Sequence, residues 1–204
     1  FGQLVGVGKE SEVYEVESYK PLVLKYHREG YSNFRKIKLN RNYTPNKGHG
    51  SWLYTARKAA EREFKILNDV YSKVRVPLPI SQNRHAIVME MMSGRNLSNL
   101  TLNEDQIDKV LDSIMIEVDN TFKAGYVHAD LSEYNIFVDG MDATLFDWPQ
   151  AVSIDHENAE EFLERDIGNI VNYFERKYPK NILVNDTKII IEEIISGSFN
   201  SAMP

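Results

Sequence analysis

The sequence predicts an α+β fold in two lobes, a small antiparallel sheet lobe with one helix and then a mainly helical lobe. The first quarter of the chain contains three strand-like runs separated by turn residues: FGQLVGVG, EVYEVES and PLVLKYH. Helical periodicity dominates the chain beyond the Gly-containing connector MMSGRN. We therefore expect an N-terminal lobe at residues 1–92 and a C-terminal lobe at residues 93–204.

Composition places the chain among globular proteins and excludes several kinds of site. Hydrophobic residues make up 42% of the 204 residues, which is enough to bury a core. The absence of cysteine excludes disulfides and thiolate metal sites, and it suits a reducing cytoplasmic location. No apolar run approaches the roughly 18 residues of a membrane span. The net charge of −6 argues against a protein that coats nucleic-acid duplexes.

Apolar residues at helical spacing predict the helices. In TARKAAEREFKILNDVY the buried face consists of Ala60, Glu63, Leu67 and Val70. A second helix is expected to open at a capping box of Thr101 and Glu104. Its apolar stripe consists of Ile107, Val110, Leu111, Ile114, Val118 and Phe122. Two further helices are expected in AEEFLERDIGNIVNYFERKY and KIIIEEII.

The segment from His27 to Trp52 is basic and irregular, and we predict a flexible loop at about residues 28–52. It contains six Lys or Arg residues and the single acid Glu29, with Gly, Asn and Pro among them. Loops of this length are usually functional or disordered. Two interpretations stay open: the loop folds onto phosphates of nucleotide or RNA, or it is solvated and disordered.

The stretch GVGKESEVY lies between two predicted strands. Glycines such as Gly6 and Gly8 let backbone N–H groups approach a polyphosphate closely, while Lys9 and Ser11 add a charge and a hydroxyl group. No G-K-[ST] opens a helix here, so this is not a Walker A loop. An ordinary glycine hairpin is the competing interpretation, since glycine is a common turn residue.

Two charged residues are predicted at buried positions. Lys25 shares a strand face with Val23, and Glu63 lies in the apolar stripe of its helix. Either charge would be costly alone, although a lysine can extend to water and Glu63 could lie at the edge of its stripe. An ion pair between Lys25 and Glu63 resolves both problems, and it would place the ammonium to hold nucleotide phosphates.

The stretch YVHADLSEYNIFVDG carries ionisable groups beside a predicted strand. Asp130 follows the long helix, Asn135 enters a hairpin formed by NIFV, DGMD and ATLF, and Asp147 follows that hairpin. Asn135 and Asp147 are nearly equidistant from the turn at Met141, so they should emerge at the same end. Their oxygens suit Mg²⁺, which would leave Asp130 as a base or an orienting group. Capping and turning the chain is the alternative role of these residues.

These stretches resemble the protein-kinase signature set, in the same order along the chain. VHADLSEYNIFV resembles the H-R-D-x-x-x-x-N catalytic loop, and LFDWP stands where D-F-G would. LVLK resembles V-A-I-K, and the Gly6 loop resembles the glycine-rich loop. The departures are that Ala129 replaces the Arg, Trp148 and Pro149 follow the metal Asp, Ser11 stands at the third glycine, and no A-P-E triplet follows.

With SNFRKIKLNRNY and SWLYTARKAAEREF included, the chain is similar to the type-two branch of the RIO family of atypical kinases over nearly its whole length. The resemblance implies a two-lobed protein-kinase-like fold without a peptide-docking activation segment. It implies an archaeal chain that acts as an ATP-dependent serine/threonine kinase or ATPase with Mg²⁺ or Mn²⁺. Members of this branch carry a winged-helix domain before the kinase domain, which we expect to be missing here.

The resemblance also implies the site residues. The residues that contact the ATP phosphates would be Gly6, Gly8, Lys9, Ser11 and Lys25, and Glu63 would belong to the nucleotide site as the partner of Lys25. The catalytic residues would be Lys25, Asp147 and the base Asp130, and the Mg²⁺ ligands would be Asn135 and Asp147. The stretch MEMM would be the hinge, with Met89 as gatekeeper and the backbone of Glu90 and Met91 facing adenine.

Further roles follow from the same resemblance. Asp147 would be phosphorylated during ATP hydrolysis, and Ser32 is a candidate autophosphorylation site. His128 would brace its turn, and Asp166 would accept N–H groups of the catalytic loop, with a solvent-facing or capping Asp166 as the alternative. The partner implied is the pre-ribosomal small subunit, both rRNA and protein, which a cytoplasmic monomer would help to mature.

Three other functions compete with this interpretation. A small-molecule phosphotransferase of the aminoglycoside or choline kinase kind also has an H-x-D-x-x-x-x-N loop and a later metal Asp. The FRKIK stretch and the lack of a large substrate-binding insertion count against it. A nucleotide-binding pseudokinase module is disfavoured by intact Lys25, Asp130, Asn135 and Asp147. A ribosome-assembly switch controlled by its nucleotide overlaps with the favoured interpretation.

Overall fold

The computed structural model describes residues 2–8, 10–28, 51–179 and 187–200, with the backbone alone at Ser51 and Trp52. Contacts divide the chain into two compact units, Phe1–Lys65 with Leu78–Met91 and Ile66–Pro77 with Met92–Pro204. The second unit includes a segment that the sequence prediction placed in the first lobe. Arg75 explains this, because its backbone N–H group donates to Glu117 at 2.8 Å and its carbonyl accepts from Leu145 at 3.0 Å.

The first unit contains one antiparallel sheet of five strands. In chain order the strands are β1 Leu4–Val7, β2 Ser11–Val16, β3 Leu22–His27, β4 Pro79–Asn83 and β5 Ala86–Glu90. Their order across the sheet is β1-β2-β3-β5-β4. The three predicted strands of the first quarter are confirmed as β1, β2 and β3. The sequence analysis missed β4, because PISQN is short, polar and headed by proline.

Helix α1, Ser51–Val70, follows β3 in the first part of the chain. All four residues of its predicted stripe are buried, with exposed fractions of at most 1%. Glu63 is therefore an interior carboxylate rather than a charge at the edge of the stripe. The helix already begins at Ser51, so its first two residues overlap the predicted basic loop, and residues 29–50 of that loop lie outside the described residues.

The second unit contains the other helices and several short strands. The helices are α2 Glu104–Lys123, α3 Ala159–Lys177 and α4 Thr187–Ser196. The strands are β6 Arg95–Asn96, β7 Tyr126–Val127, β8 Ile136–Asp139, β9 Asp142–Leu145 and β10 Val152–Ser153. Strands β8 and β9 form the predicted hairpin, with β6 beside β8, while β10 pairs with β7. The core consists mainly of the apolar faces of α2 and α3.

Helix α2 begins later than its predicted capping box. The cap residue is Asn103, whose backbone N–H group donates to the side chain of Gln106 at 3.1 Å. The predicted pairing of Thr101 with Glu104 is wrong, because two overlapping pairs fit the same spacing and Asn103 is an equally good cap. Of the predicted stripe, only Phe122 is half-buried rather than buried. Across the described residues, no helix has both the length and the apolar character of a membrane span.

Candidate active site

The glycine-containing turn joins β1 to β2 in the first unit. The Gly8 N–H group donates to the Ser11 carbonyl at 2.8 Å, and Lys9 lies outside the described residues. Neither Gly6 nor Gly8 has a positive φ. Among the described residues, a Cβ atom added at Gly6 would meet only Val13, at 3.7 Å, which is ordinary van der Waals contact. The protein's own packing therefore does not require glycine at position 6, and the backbone there is open to close approach.

Arg28 fastens this turn, a contact that the sequence analysis did not predict. Its guanidinium donates to Glu12 Oε1 at 2.6 Å and to the Gly8 carbonyl at 2.8 Å. Its backbone N–H group donates to the Glu10 carbonyl at 2.8 Å. The pairing of β2 with β3, in which Ser11 faces His27, brings Arg28 to the turn. Only the register of the two strands reveals this, because Arg28 reads as the first residue of a basic loop.

Lys25 and Glu63 form the predicted ion pair. Lys25 Nζ lies 2.7 Å from Glu63 Oε1, and the two side chains are 7% and 1% exposed. His27 joins them, with Nε2 2.7 Å from Glu63 Oε2. Burial alone would raise the pKa of Glu63, but the Lys25 ammonium and then His27 outweigh it, so the pKa is lowered. The carboxylate is therefore ionised and holds the ammonium in a fixed place.

The sequence analysis missed His27, although a signal for it exists. Side chains alternate along a strand, so Val23, Lys25 and His27 share one face of β3. His27 is 3% exposed and belongs to the buried part of the strand, rather than to the basic loop that follows. The alternation that predicted a buried Lys25 would also have predicted a buried His27.

The predicted hinge residues lie at the end of β5. Met89 is 6% exposed and faces Val23 across the ladder. The Glu90 N–H group donates to the Leu78 carbonyl, and the Met91 N–H group donates to the Pro21 carbonyl, each at 2.9 Å. Neither N–H group is therefore available to a base in this arrangement, and the role of the two residues toward adenine stays a prediction.

In the second unit, the hairpin register brings Asn135 and Asp147 to one end. Ile136 pairs with Leu145, and the Phe146 N–H group donates to the Asn135 carbonyl at 3.1 Å. The prediction that the two residues emerge at the same end of the hairpin is thus confirmed. Asp147 has φ +68°, a left-handed conformation that is uncommon outside glycine.

The same end of the hairpin is joined to Asp130. Asn135 Nδ2 donates to the Asp130 carbonyl at 2.8 Å, which leaves the Asn135 Oδ1 atom on the opposite side of the amide. Asp130 itself is exposed, whereas Asn135 is 9% exposed. No group of three or more His, Cys, Asp or Glu suited to a metal occurs among the described residues. An amide oxygen and a carboxylate nevertheless fit Mg²⁺, which commonly takes one or two protein ligands beside phosphates and water.

His128 braces its turn, as predicted, by bonding to the stretch of chain just before Asp147. His128 Nε2 lies 3.0 Å from the Phe146 carbonyl, so this nitrogen must carry a proton and donate it. The imidazole lies 4.7 Å from the ring of Trp148, which is fully buried and donates from Nε1 to the Leu145 carbonyl at 3.2 Å. His128 and Trp148 therefore hold the backbone immediately before Asp147 from two sides.

Asp166, on α3, accepts N–H groups of the catalytic loop, as predicted. Its carboxylate accepts from Ala129 at 2.7 Å and from Leu131 at 3.0 Å. At 1% exposure it does not face solvent, which excludes the alternative. Burial raises the pKa of Asp166 to about 7, and the two N–H groups and Arg165 offset only part of that rise.

Comparison with known proteins identifies the family. The family model described as "RIO domain" matches residues 12–188. The chain belongs to the RIO family. It is similar to the RIO-type serine/threonine-protein kinase Rio2 of Methanocaldococcus jannaschii, with 44% identity over 95% of this chain and 73% of the relative. It is also similar to the Schizosaccharomyces pombe serine/threonine-protein kinase rio2, with 39% identity over 87% of this chain and 52% of the relative.

A solved structure agrees with this assignment. The Rio2 kinase-ADP/Mg²⁺-phosphoaspartate complex from Chaetomium thermophilum matches with a TM-score of 0.75 and 32% identity, covering 97% of this chain and 65% of that chain. The predicted protein-kinase-like fold and the resemblance to the type-two branch of the RIO family are confirmed. As a RIO domain, the chain is an atypical serine/threonine kinase domain. It spans between about half and three quarters of the length of these three relatives.

Proposed function

We propose that this RIO domain binds Mg²⁺ and ATP and cleaves the γ-phosphate, with Lys25, Asp130, Asn135 and Asp147 as the residues that carry the chemistry. The observation that supports this most strongly is the hairpin register. It brings Asn135 and Asp147 to one end, and Asn135 is also bonded to the Asp130 backbone at 2.8 Å. An oxygen pair for a cation and a nearby exposed carboxylate form the minimum set for phosphoryl transfer.

The first unit supplies the groups suited to the phosphates. Lys25 keeps its position through Glu63, and Gly6 offers open backbone without any need of its own for glycine. In the second unit, Asn135 and Asp147 would hold Mg²⁺, which neutralises negative charge on the phosphates when bound. The roles of Lys9 and Ser11 toward phosphates stay predictions, and Lys9 lies outside the described residues.

Asp130 would orient the attacking group, either a water molecule or a hydroxyl group. We also propose that Asp147 accepts the phosphoryl group, because the related Rio2 kinase of Chaetomium thermophilum forms a complex with ADP, Mg²⁺ and phosphoaspartate. In that step a carboxylate oxygen of Asp147 bonds to the γ-phosphorus, and the bond to the departing ADP oxygen breaks. Water then hydrolyses the acyl phosphate, returning the carboxylate and releasing inorganic phosphate.

The wider role is also a proposal. Because its Rio2 relatives are named as protein kinases, we propose transfer to serine or threonine, including autophosphorylation, beside ATP hydrolysis. We further propose that Mn²⁺ can replace Mg²⁺, and that the domain acts in the cytoplasm as a monomer on the pre-ribosomal small subunit. The basic loop would contact RNA phosphates, and Ser32 would accept a phosphoryl group. Residues 29–50 of the loop, including Ser32, lie outside the described residues.

The experiment incubates the purified chain with Mg²⁺ and ATP labelled at the γ-phosphate, and follows free phosphate and label on the protein. We expect hydroxylamine-sensitive label on the unmodified chain and none on Asp147→Asn. The matched control is Asp139→Asn, an exposed carboxylate on the same hairpin, which should label normally. Label that persists in Asp147→Asn contradicts the acceptor assignment. No hydrolysis or labelling with any divalent metal favours the nucleotide-binding module without turnover.

A further inference from the structure

Helix α3 holds the catalytic loop with more than one side chain. Asp166 accepts from the N–H groups of Ala129 and Leu131 at 2.7 and 3.0 Å. One residue earlier, Arg165 Nη2 donates to the Ala129 carbonyl. One helical turn later, Asn169 Nδ2 donates to the Leu131 carbonyl at 3.1 Å. The N–H and C=O groups of both residues that flank Asp130 are thus all bonded to α3.

These bonds fix the two peptide groups that adjoin Asp130. The peptide before Asp130 is held at its oxygen by Arg165. The peptide after it is held at the Leu131 N–H group by α3 and at the Asp130 carbonyl by Asn135, at 2.8 Å. Since two adjoining peptide planes set the direction of a Cα–Cβ bond, they also set the direction in which the exposed Asp130 side chain leaves the backbone.

We propose that Arg165 and Asn169 are positioning residues, which orient Asp130 through the loop backbone; the inference rests on the proposed role of Asp130. Acceptance of the loop N–H groups by Asp166 follows the kinase pattern, and in this chain the same helix also donates to the two loop carbonyls. Ala129 stands where the protein-kinase motif has arginine. Arg165 therefore brings a guanidinium to the loop from the helix instead.

Arg165 is itself held for this contact. Its guanidinium lies 4.9 Å from the ring of Phe162, three residues earlier on α3, and the Phe162 ring lies 5.6 Å from that of His156. A planar guanidinium stacked on a ring keeps its donors in one direction, which a lysine ammonium does not do. Residues three and four apart share a helix face, so α3 can present the three polar groups together.

The loop backbone has a reason to need these bonds. Ala129 has φ +61°, in the left-handed region that disfavours residues with a Cβ atom. A conformation of this kind persists only where the surrounding structure holds it. Removal of Arg165 or Asn169 would let the loop relax away from it and turn Asp130, while leaving the nucleotide-contacting groups in the first unit untouched.

The test uses the full chain and measures kcat and KM for Mg²⁺-ATP hydrolysis. Arg165→Ala and Asn169→Ala should each lower kcat by about 10-fold to 100-fold, the range seen when supporting residues of a site are removed, with KM nearly constant. The kcat of Arg165→Lys should lie between the kcat of Arg165→Ala and that of the unmodified chain. The matched controls on the exposed part of α3 are Arg176→Ala and Asn172→Ala, which should leave kcat unchanged.

A double-mutant cycle separates positioning from a loss of structure. If Arg165 acts through Asp130, adding Arg165→Ala to Asp130→Asn should change kcat little, because the base is already gone. A general loss of structure would lower kcat by the same factor in both backgrounds. Amide hydrogen exchange at Leu131 should quicken in Arg165→Ala and Asn169→Ala but not in the controls, independently of turnover.

The outcomes distinguish the inference from the proposed function. An inactive Asp130→Asn beside fully active Arg165→Ala and Asn169→Ala would overturn the inference alone. An equal fall in kcat on adding Arg165→Ala to the unmodified chain and to Asp130→Asn would also overturn it. An equal fall in kcat in the α3 control variants would do the same. Normal turnover in Asp130→Asn would overturn the proposed role of Asp130, and the inference with it.

Discussion

Glu63 in the first unit and Asp166 in the second are both carboxylates with an exposed fraction of 1%, yet their surroundings differ. Glu63 lies against the Lys25 ammonium and the His27 ring, each 2.7 Å away. Asp166 accepts instead from two neutral backbone N–H groups. Burial raises the pKa of a carboxyl group in both places, but the net pKa is lowered for Glu63 and raised to about 7 for Asp166.

The difference teaches what each region requires from its carboxylate. Full charges nearby compensate for the lost hydration of an anion, whereas backbone dipoles compensate for only part of it. Glu63 has an electrostatic task, to keep an ammonium in a fixed place, so it must stay ionised. Asp166 has a geometric task, to hold a loop, and an oxygen acceptor is enough for that. The predictions below test this contrast, from the largest expected effect to the smallest.

The largest effect should come from Glu63→Gln. The change leaves Lys25 and His27 buried without an anion, which should cost about 3–5 kcal/mol of unfolding free energy. Chemical denaturation measures it. Glu61→Gln, on the same helix but paired with the exposed Arg57 and Lys58, is the control and should lower the unfolding free energy far less, because solvent screens exposed ion pairs. Equal costs for the two variants would remove the basis of the contrast.

Asp166→Asn should lower the free energy of unfolding by less than Glu63→Gln does. The amide keeps one oxygen acceptor but turns its nitrogen toward the second loop N–H group, a loss of about 1–3 kcal/mol. Removing the charge itself should matter less than it does at Glu63, because a pKa of about 7 leaves the Asp166 carboxyl only partly ionised at pH 7. Denaturation of both variants in one buffer checks the order. If Asp166→Asn lowers the unfolding free energy more than Glu63→Gln does, the charge of Asp166 matters more than we infer.

The pH dependence of stability should separate the two carboxylates by sign. The folded-state pKa of Asp166 is raised from 3.8 to about 7, so its contribution to stability is present below about pH 4 and is lost as pH rises through 7. Glu63, with a lowered pKa, contributes stability above its ordinary value of 4.5 that is lost as pH falls.

The measurement is the unfolding free energy of the unmodified chain minus that of Asp166→Asn, from pH 5 to pH 8. In this difference the contributions of groups common to both proteins cancel. It should decrease as the pH rises, by no more than about 1.4 kcal/mol per pH unit for one proton. A flat difference would mean that the two N–H groups compensate Asp166 fully.

Gly6→Ala should reduce nucleotide affinity with little change in stability. A Cβ atom at Gly6 meets nothing closer than 3.7 Å in the part of the chain that the structure describes, so the methyl group should obstruct a ligand rather than the fold. We expect about tenfold weaker ATP binding, equivalent to about 1.4 kcal/mol, by calorimetric titration. Unchanged affinity would leave Gly6 as an ordinary turn residue, and the phosphate task of the first unit would then depend on Lys25.

The smallest effect should come from Gly168→Ala, in the helix that carries Asp166. A Cβ atom there has nothing within 4 Å, and alanine is favoured over glycine inside a helix by about 0.5–1 kcal/mol. The midpoint temperature of thermal unfolding should rise slightly, while the rate of ATP turnover stays constant. A fall in turnover would show that the second unit needs a flexible α3, contrary to a task that depends on fixed geometry.

The sequence predicted a large part of this protein. Motif order identified the family, helical and strand periodicity placed the main elements, and the high cost of a buried charge predicted that Lys25 meets Glu63. The hairpin turn predicted that Asn135 and Asp147 lie at one end. These results share a cause: spacing along one element, or the cost of one buried group, can be read from a single stretch of chain.

Tertiary structure decided what depends on the register between distant stretches. Arg28 reaches Gly8 only through the pairing of β2 with β3, and Arg165 reaches Ala129 only because α3 packs beneath a loop 36 residues away in sequence. The opposite pKa shifts of Glu63 and Asp166 were equally beyond the sequence. Each shift depends on which donors the folded chain places around a carboxylate, whereas composition shows only that a carboxylate is present.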